Sequence, residues 1–182
     1  MFRSLERAEN TARLIEAGFR IALTRSTSAE AEWKSIIVTS AAQFAYEAKY
    51  SGYDSERVVN FLLRDTDNPS SVLSVIKSAR DNARLVRTAL TTEVWTSVNE
   101  TWMVLTKLLE APIRQMELPA VLATIRQQSA VVRGALHGTM LRNDIYDFCR
   151  LGTFVERMDS TARIIDVKYY ALLPSPSFVG SR

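Results

Sequence analysis

Eleven residues, present twice, carry the side chains best placed to do chemistry. Glu6 to Glu16 read E-R-A-E-N-T-A-R-L-I-E and Glu156 to Asp166 read E-R-M-D-S-T-A-R-I-I-D, so one pattern returns after an offset of 150. On a helix at about 100° per residue, Glu6, Glu9, Arg13 and Glu16 fall in one narrow band, and Glu156, Asp159, Arg163 and Asp166 fall in the equivalent band. If the two helices are neighbours, six carboxylates face the guanidiniums of Arg13 and Arg163. Such a cluster suits either a ligand grip or an ion-pair network in which Glu9 holds Arg13 and Asp159 holds Arg163 at i,i+4, and the spacing favours the network. Arg7 and Arg157 project to a different side, as partly buried tethers. Loss of Arg163 is expected to strand Asp159 and Glu156 and to cost about 1 to 3 kcal/mol.

Other reactive groups are sparse. The clustered carboxylates would suit Mg²⁺ or Mn²⁺, but a di-iron bundle site wants Glu-x-x-His pairs and His137 is the chain's one histidine, so no metal site and no cofactor are expected. The lone Cys149 rules out an internal disulfide and a zinc thiolate cluster, and reads as a small core residue. No catalytic residue stands out. Arg80, Arg84 and Arg87 share roughly one helix face and are candidates for holding phosphate or a carboxylate peptide; the competing reading is a solvated face paired with acids such as Asp81. Trp33, Trp95 and Trp102 read as core or groove-lining residues.

The elements that must position these residues are helices. Small and apolar residues recur at 3-4 spacing in Leu5, Ala8, Ala12, Ile15 and Phe19, which predicts a first helix from about Phe2 to Thr24, with Ser28 as a possible cap for the next. That second helix is expected from Ala29 to Tyr50, ending at Ser51-Gly52, and Asp54 caps a short helix through Leu63. Asn68-Pro69 predicts the start of the next, ending near Leu90, and Thr91 or Thr92 caps one that runs to Ala111-Pro112. Another begins about Pro119 and loosens at Gly134 and Gly138. The last keeps an apolar seam through Leu141, Ile145, Phe148, Gly152, Val155, Met158, Ala162, Ile165, Tyr169 and Leu172. No period-2 segment bounded by hairpin turns occurs, and the glycines form no phosphate-cradling motif. The fold class is therefore all-α, a bundle of about six or seven antiparallel helices, in one domain spanning 1–173 with a disordered tail at 174–182. The two repeat helices are expected to pack with Ala8 and Ala12 near Ala162.

Composition narrows the function. Of 23 basic residues eighteen are arginine and five lysine, yet the net charge is only +3 and acids are interleaved throughout, which argues against nucleic acid as a partner. The arginine bias fits organised ion pairs, an anionic ligand, or a coding bias. The longest uncharged run, Ser35 to Tyr46, is too short to span a bilayer, so a cytoplasmic protein with no membrane role is expected.

The two repeats, with T-M-L-R-N-D-I-Y-D-F-C-R-L-G before the second and D-V-K-Y-Y-A-L-L-P after it, resemble the bacterial alpha-E domain family, named for its E-R motif. D-N-P-S-S at Asp67 to Ser71, A-R-D-N-A-R at Ala79 to Arg84 and E-V-W-T-S-V-N-E-T-W beyond are similar to its central helices. The resemblance implies an all-helical fold and a family often encoded beside ATP-grasp peptide-ligase-like and transglutaminase-like proteins. It also implies roughly the first half of a family domain, because members extend further at both ends. The expected function is a non-catalytic helical interaction module with such a protein partner. The alternative is an enzyme subunit binding a peptide, nucleotide or divalent metal at the paired E-R band. With partner turns missing over Leu141, Ile145 and Phe148, the chain is expected to form a homodimer or to pair with a separate polypeptide.

Overall fold

The computed structural model describes residues 1–24 and 29–172, apart from the side chains of Thr24 and of 168–172. The expected disordered tail, Ser28 as a cap, and the seam positions Tyr169 and Leu172 lie outside what is described. Among the described residues the elements are α1 (Phe2–Thr24), α2 (Ala29–Thr39), α3 (Gln43–Glu47), α4 (Ser55–Leu63), α5 (Val72–Leu85), a 3-10 turn (Arg87–Ala89), α6 (Thr92–Leu108), α7 (Leu118–Thr139) and α8 (Asp144–Leu172). The fold is all-α, with more helices than the six or seven expected.

Three local signals explain the boundaries. Asp54 and Thr91 cap α4 and α6 by accepting from the backbone N–H groups of Arg57 and Val94. The Asn68-Pro69 pair does not begin a helix. Asn68 is buried, its Nδ2 donates to the Phe61 carbonyl at 3.0 Å and its Oδ1 accepts from Ser70 N at 2.9 Å, so it ties the α4–α5 turn together and leaves the capping of α5 to Ser71. The stretch expected as one helix over Ala29–Tyr50 is two. Thr39 Oγ1 and Ser40 Oγ donate back to the carbonyls of Ser35 and Ile37, and Ala41 takes φ 55°, which breaks the ladder.

Four helices close into a ring in which α1 packs on α5 and α7, and α6 on α5 and α7. Ion pairs and hydrogen bonds fix the directions: Arg80 meets Asn99, Thr101 meets Gln128, Arg126 meets Glu16 and Arg133 meets Glu9, so neighbours in the ring are antiparallel. Ala8, Ala12 and Ile15 of α1, Ala79 and Ala83 of α5, and Ile125 and Val132 of α7 are fully buried in the core. Small side chains on α1 and α5 let these helices approach closely. The helix α2 lies against α1 at Gly18, where an added Cβ would fall 2.1 Å from Ile36 Cδ1.

The helix α8 stands outside the ring, against α1 and α2. Arg3 lies beside Gly152, Arg7 beside Glu156, and Arg157 beside Glu6. Matching positions therefore meet at the same level, and the two repeats run parallel, unlike the antiparallel neighbours expected. The expected alanine contact is not made: Ala8 and Ala12 face the ring core, whereas Ala162 is exposed. The apolar seam of α8 is likewise not a core seam. Tyr146 and Glu156, neither of them in that seam, are the buried residues of α8 among those described, while Leu141 just before the helix and Phe148, Met158 and Ile165 within it are 80%, 73%, 64% and 62% exposed.

Candidate functional site

The two E-R pairs grip each other across the α1–α8 contact. Arg7 donates through Nε and Nη2 to the two carboxylate oxygens of Glu156 at 2.5 and 3.1 Å, and Arg157 donates through Nε and Nη2 to those of Glu6 at 2.6 and 3.4 Å. Each guanidinium forks onto the partner repeat's carboxylate, which is the strongest geometry available to such a pair. A helix places Glu and Arg at adjacent positions about 100° apart, so two parallel copies in register can exchange both bonds at once. Arg3 adds a third contact to Glu156 at 3.1 Å. Glu6 and Glu156 are nearly inaccessible, at 4% and 3% exposure, so each is a buried charge with its countercharge supplied from the other helix. These bonds hold the guanidiniums of Arg7 and Arg157 more firmly protonated than usual.

The flanking residues of the motif form a second tier. Arg13 donates to Glu9 Oε1 through Nη2 at 2.7 Å, and Arg133 of α7 donates to Glu9 Oε2 at 2.6 Å while standing 3.5 Å from Glu6. Burial alone would push the Glu9 carboxyl up, but the bonds from Arg133 and Arg13 outweigh it and hold it below the usual carboxylate range. Asp159 is likewise held low by the hydrogen bond from Arg163. The expected i,i+4 pairs are thus present. Arg163 contacts Asp159 and not Glu156, and both members of that pair are about two-fifths exposed.

The brace separates two clefts related by the repeat. The larger, of about 530 Å³, is lined by Glu6, Glu9, Asn10 and Arg13 of α1 and by Arg157, Ser160, Thr161 and Ile164 of α8, with Glu32, Ser35, Ile36 and Thr39 of α2 as the third wall. Exchanging the helices at the 150 offset yields Glu156, Asp159, Ser160 and Arg163 with Arg7, Asn10, Thr11 and Leu14, and these line the second cleft, of about 250 Å³. The axis of this local two-fold runs between the parallel helices. The polar positions of the repeat from Glu6 to Arg13 therefore face one cleft or the other, and its alanines at 8 and 12 face the core.

Asn10, Ser160, Arg3 and Arg133 are the site residues that spacing alone did not single out. Asn10 and Ser160 occupy the same position of the repeat, one step beyond Glu9 and Asp159, and that equivalence was the available signal. Arg3 and Arg133 belong to no repeat. In the described structure Asn10 Nδ2 is buried without a hydrogen-bond partner.

The remaining candidates do not converge. Arg80 lies 4.2 Å from the Trp102 ring and donates to Asn99, Arg87 lies 5.5 Å from Trp95 and beyond the end of α5, and Arg84 is exposed. Arg80 and Arg87 are thus each laid on an indole of α6. His137 Nδ1 is 2.8 Å from Tyr146 Oη, and burial pushes the Cys149 thiol up. Among the described residues, no group of three His, Cys, Asp or Glu side chains could hold a metal ion, and no helix is long and apolar enough to cross a membrane.

Comparison with known proteins accords with the geometry. No curated protein and no solved structure matches the chain. A family model does match, over residues 1–181, and describes a predicted alpha-helical domain with a conserved ER motif. With both E-R pairs joined where the last helix meets the first, the chain belongs to the Alpha-E family.

Proposed function

We propose that this chain is a non-catalytic helical interaction module of the cytoplasm whose partner docks along α8. The observation that carries this reading is the solvent face of α8, where Leu151, Phe154, Met158 and Ile165 are 44% to 64% exposed at a 3-4-7 spacing. That spacing is the seam of a helix that packs on another helix. Leu141, Ile145 and Phe148 widen the apolar surface toward the N-terminal end of α8. A helix apolar on two sides belongs inside an assembly, and an exposed apolar patch of this kind marks an interaction surface. The family resemblance nominates an ATP-grasp peptide-ligase-like or transglutaminase-like protein as the partner, with a second copy of the chain as the competing occupant.

The test is sedimentation of the chain alone and mixed with a separately produced ATP-grasp-like protein encoded beside it. A mixed complex that is lost in Met158→Asp and Phe154→Asp supports the reading. A complex that survives both substitutions, or two components that sediment apart, overturns it. A dimer of the chain alone, disrupted by Phe148→Asp, would assign the face to self-association.

The cleft beside the E-R brace favours a second reading, an enzyme subunit that holds a ligand there. Its volume and mixture of apolar walls with a few polar groups are those of a small-molecule site.

A further inference from the structure

We infer that the α5–α6 edge of the ring is a docking groove for an acidic, extended polypeptide segment, gripped by Arg80, Arg84 and Arg87. This surface is separate from the E-R brace and from the docking face of α8, which lies against α1 and α2.

The first support is uncompensated charge. Arginines of α1, α7 and α8 such as Arg7, Arg13, Arg133 and Arg163 each meet a carboxylate. Arg80, Arg84 and Arg87 form no ion pair with a described residue. The acid next to them in sequence, Asp81, is taken by Lys77 at 2.7 Å, and Arg80 and Arg84 add only a weaker pull on its carboxyl. On α6 the exposed acids Glu93 and Glu100 fall about 100° or more around the helix from Asn99, away from the groove. Three positive charges therefore line one edge with no negative charge set against them, and they complement an anion.

The second is that two of these guanidiniums are held by neutral partners. Arg80 Nε donates to the Asn99 amide oxygen at 2.8 Å, and its guanidinium lies 4.2 Å from the centre of the Trp102 ring. Arg87 lies 5.5 Å from the Trp95 ring. An indole and an amide position a guanidinium without neutralising it. Neither Nη of Arg80 donates to a described residue, so a fork remains for a carboxylate, and a fork already held in place loses little freedom on binding.

The third is spacing. Because α5 and α6 are antiparallel, Arg80 is level with Trp102 and Arg87 with Trp95, and Arg84 stands between them. The three span about 10 Å along the groove, too far apart to close on one phosphate. Stacked bases need an open ring face, and here each indole already carries a guanidinium. Carboxylates at alternate positions of an extended chain recur about every 6.6 Å, close to the rise of about 6 Å from Arg80 to Arg84. An extended segment with acids at every second position thus matches the groove.

The experiment follows binding of a fluorescein-labelled peptide of alternating glutamate and serine to the full chain, by anisotropy at about 50 mM salt, together with the indole N–H resonances. The expected result is saturable binding that weakens as salt rises, with shifts at Trp95 and Trp102 and none at the buried Trp33. A peptide of alternating glutamine and serine does not bind. Arg84→Glu, on an exposed side chain, is expected to weaken the acidic peptide at least about tenfold with the thermal midpoint unchanged. Arg142→Glu makes the same charge change in the α7–α8 turn and should alter affinity less than about threefold. Equal weakening by the two variants, shifts absent from Trp95 and Trp102, no saturation by about 5 mM peptide, or tighter binding of an oligodeoxythymidylate strand than of the peptide would each overturn the assignment.

Discussion

Glu156 and Glu6 are the residues on which the paired motif turns, because each is buried and each draws its countercharge from the opposite helix. Removing Arg7 leaves Glu156 with Arg3 alone, and Arg7→Ala is expected to destabilise the fold by about 2 kcal/mol. Arg163→Ala should cost less than about 1 kcal/mol, since the pair it breaks is half in solvent. Paired urea titrations of the two variants check the ordering. The larger cost expected for Arg163 from spacing alone rested on placing Glu156 beside it; the parallel register gives Glu156 to Arg7. Acid should reveal Glu9 next. Its carboxyl and that of Asp159 bind protons more weakly folded than unfolded, so their contribution is complete above the ordinary carboxylate pKa of about 4 and is lost as pH falls through their lower folded values. The thermal midpoint should therefore drop below about pH 4, less steeply in Glu9→Gln than in the parent chain.

At the scale of single helices the sequence was largely readable, because caps and apolar periodicity are local. Asp54 and Thr91 cap as their types and positions suggest. The failures were also local, and arose where a side chain overrode the usual punctuation. No glycine or proline marks the end of α2, yet hydroxyls at Thr39 and Ser40 bond back to the helix and Ala41 turns left-handed at φ 55°. Ala41→Gly removes that backbone strain at an exposed position and should raise stability by up to about 1 kcal/mol, measurable as a rise in thermal midpoint. At the α1–α2 crossing the sign reverses. Gly18→Ala gains helix propensity but drives a Cβ into Ile36, for a net loss of about 1 kcal/mol. Adding Ile36→Val should recover part of that loss, and a double-mutant cycle would show the coupling.

For the whole molecule, the motif was legible but its assembly was not. A repeat at an offset of 150 indicates two like helices, but nothing in either copy states whether they run parallel, and reversing one would separate Arg7 from Glu156. The stripe through Ile145, Phe148, Met158 and Ile165 reads as core because periodicity reports a helix's faces without saying which one is covered. In the structure the edge carrying Glu156 meets α1, and that stripe is left outward.

The placement of α8 also sets an order of events. The ring of α1, α5, α6 and α7 uses no residue beyond Thr139, whereas the exchange of Arg7 with Glu156 joins positions 149 apart. During synthesis the ring can close before the second repeat leaves the ribosome, and the last helix then attaches to a finished surface through charge more than through apolar burial. Attachment of that kind opens easily. Amide hydrogens of α8 should exchange faster than those of α1 and α7, and high salt should widen the gap by screening the more exposed ion pairs while leaving the ring's protection intact.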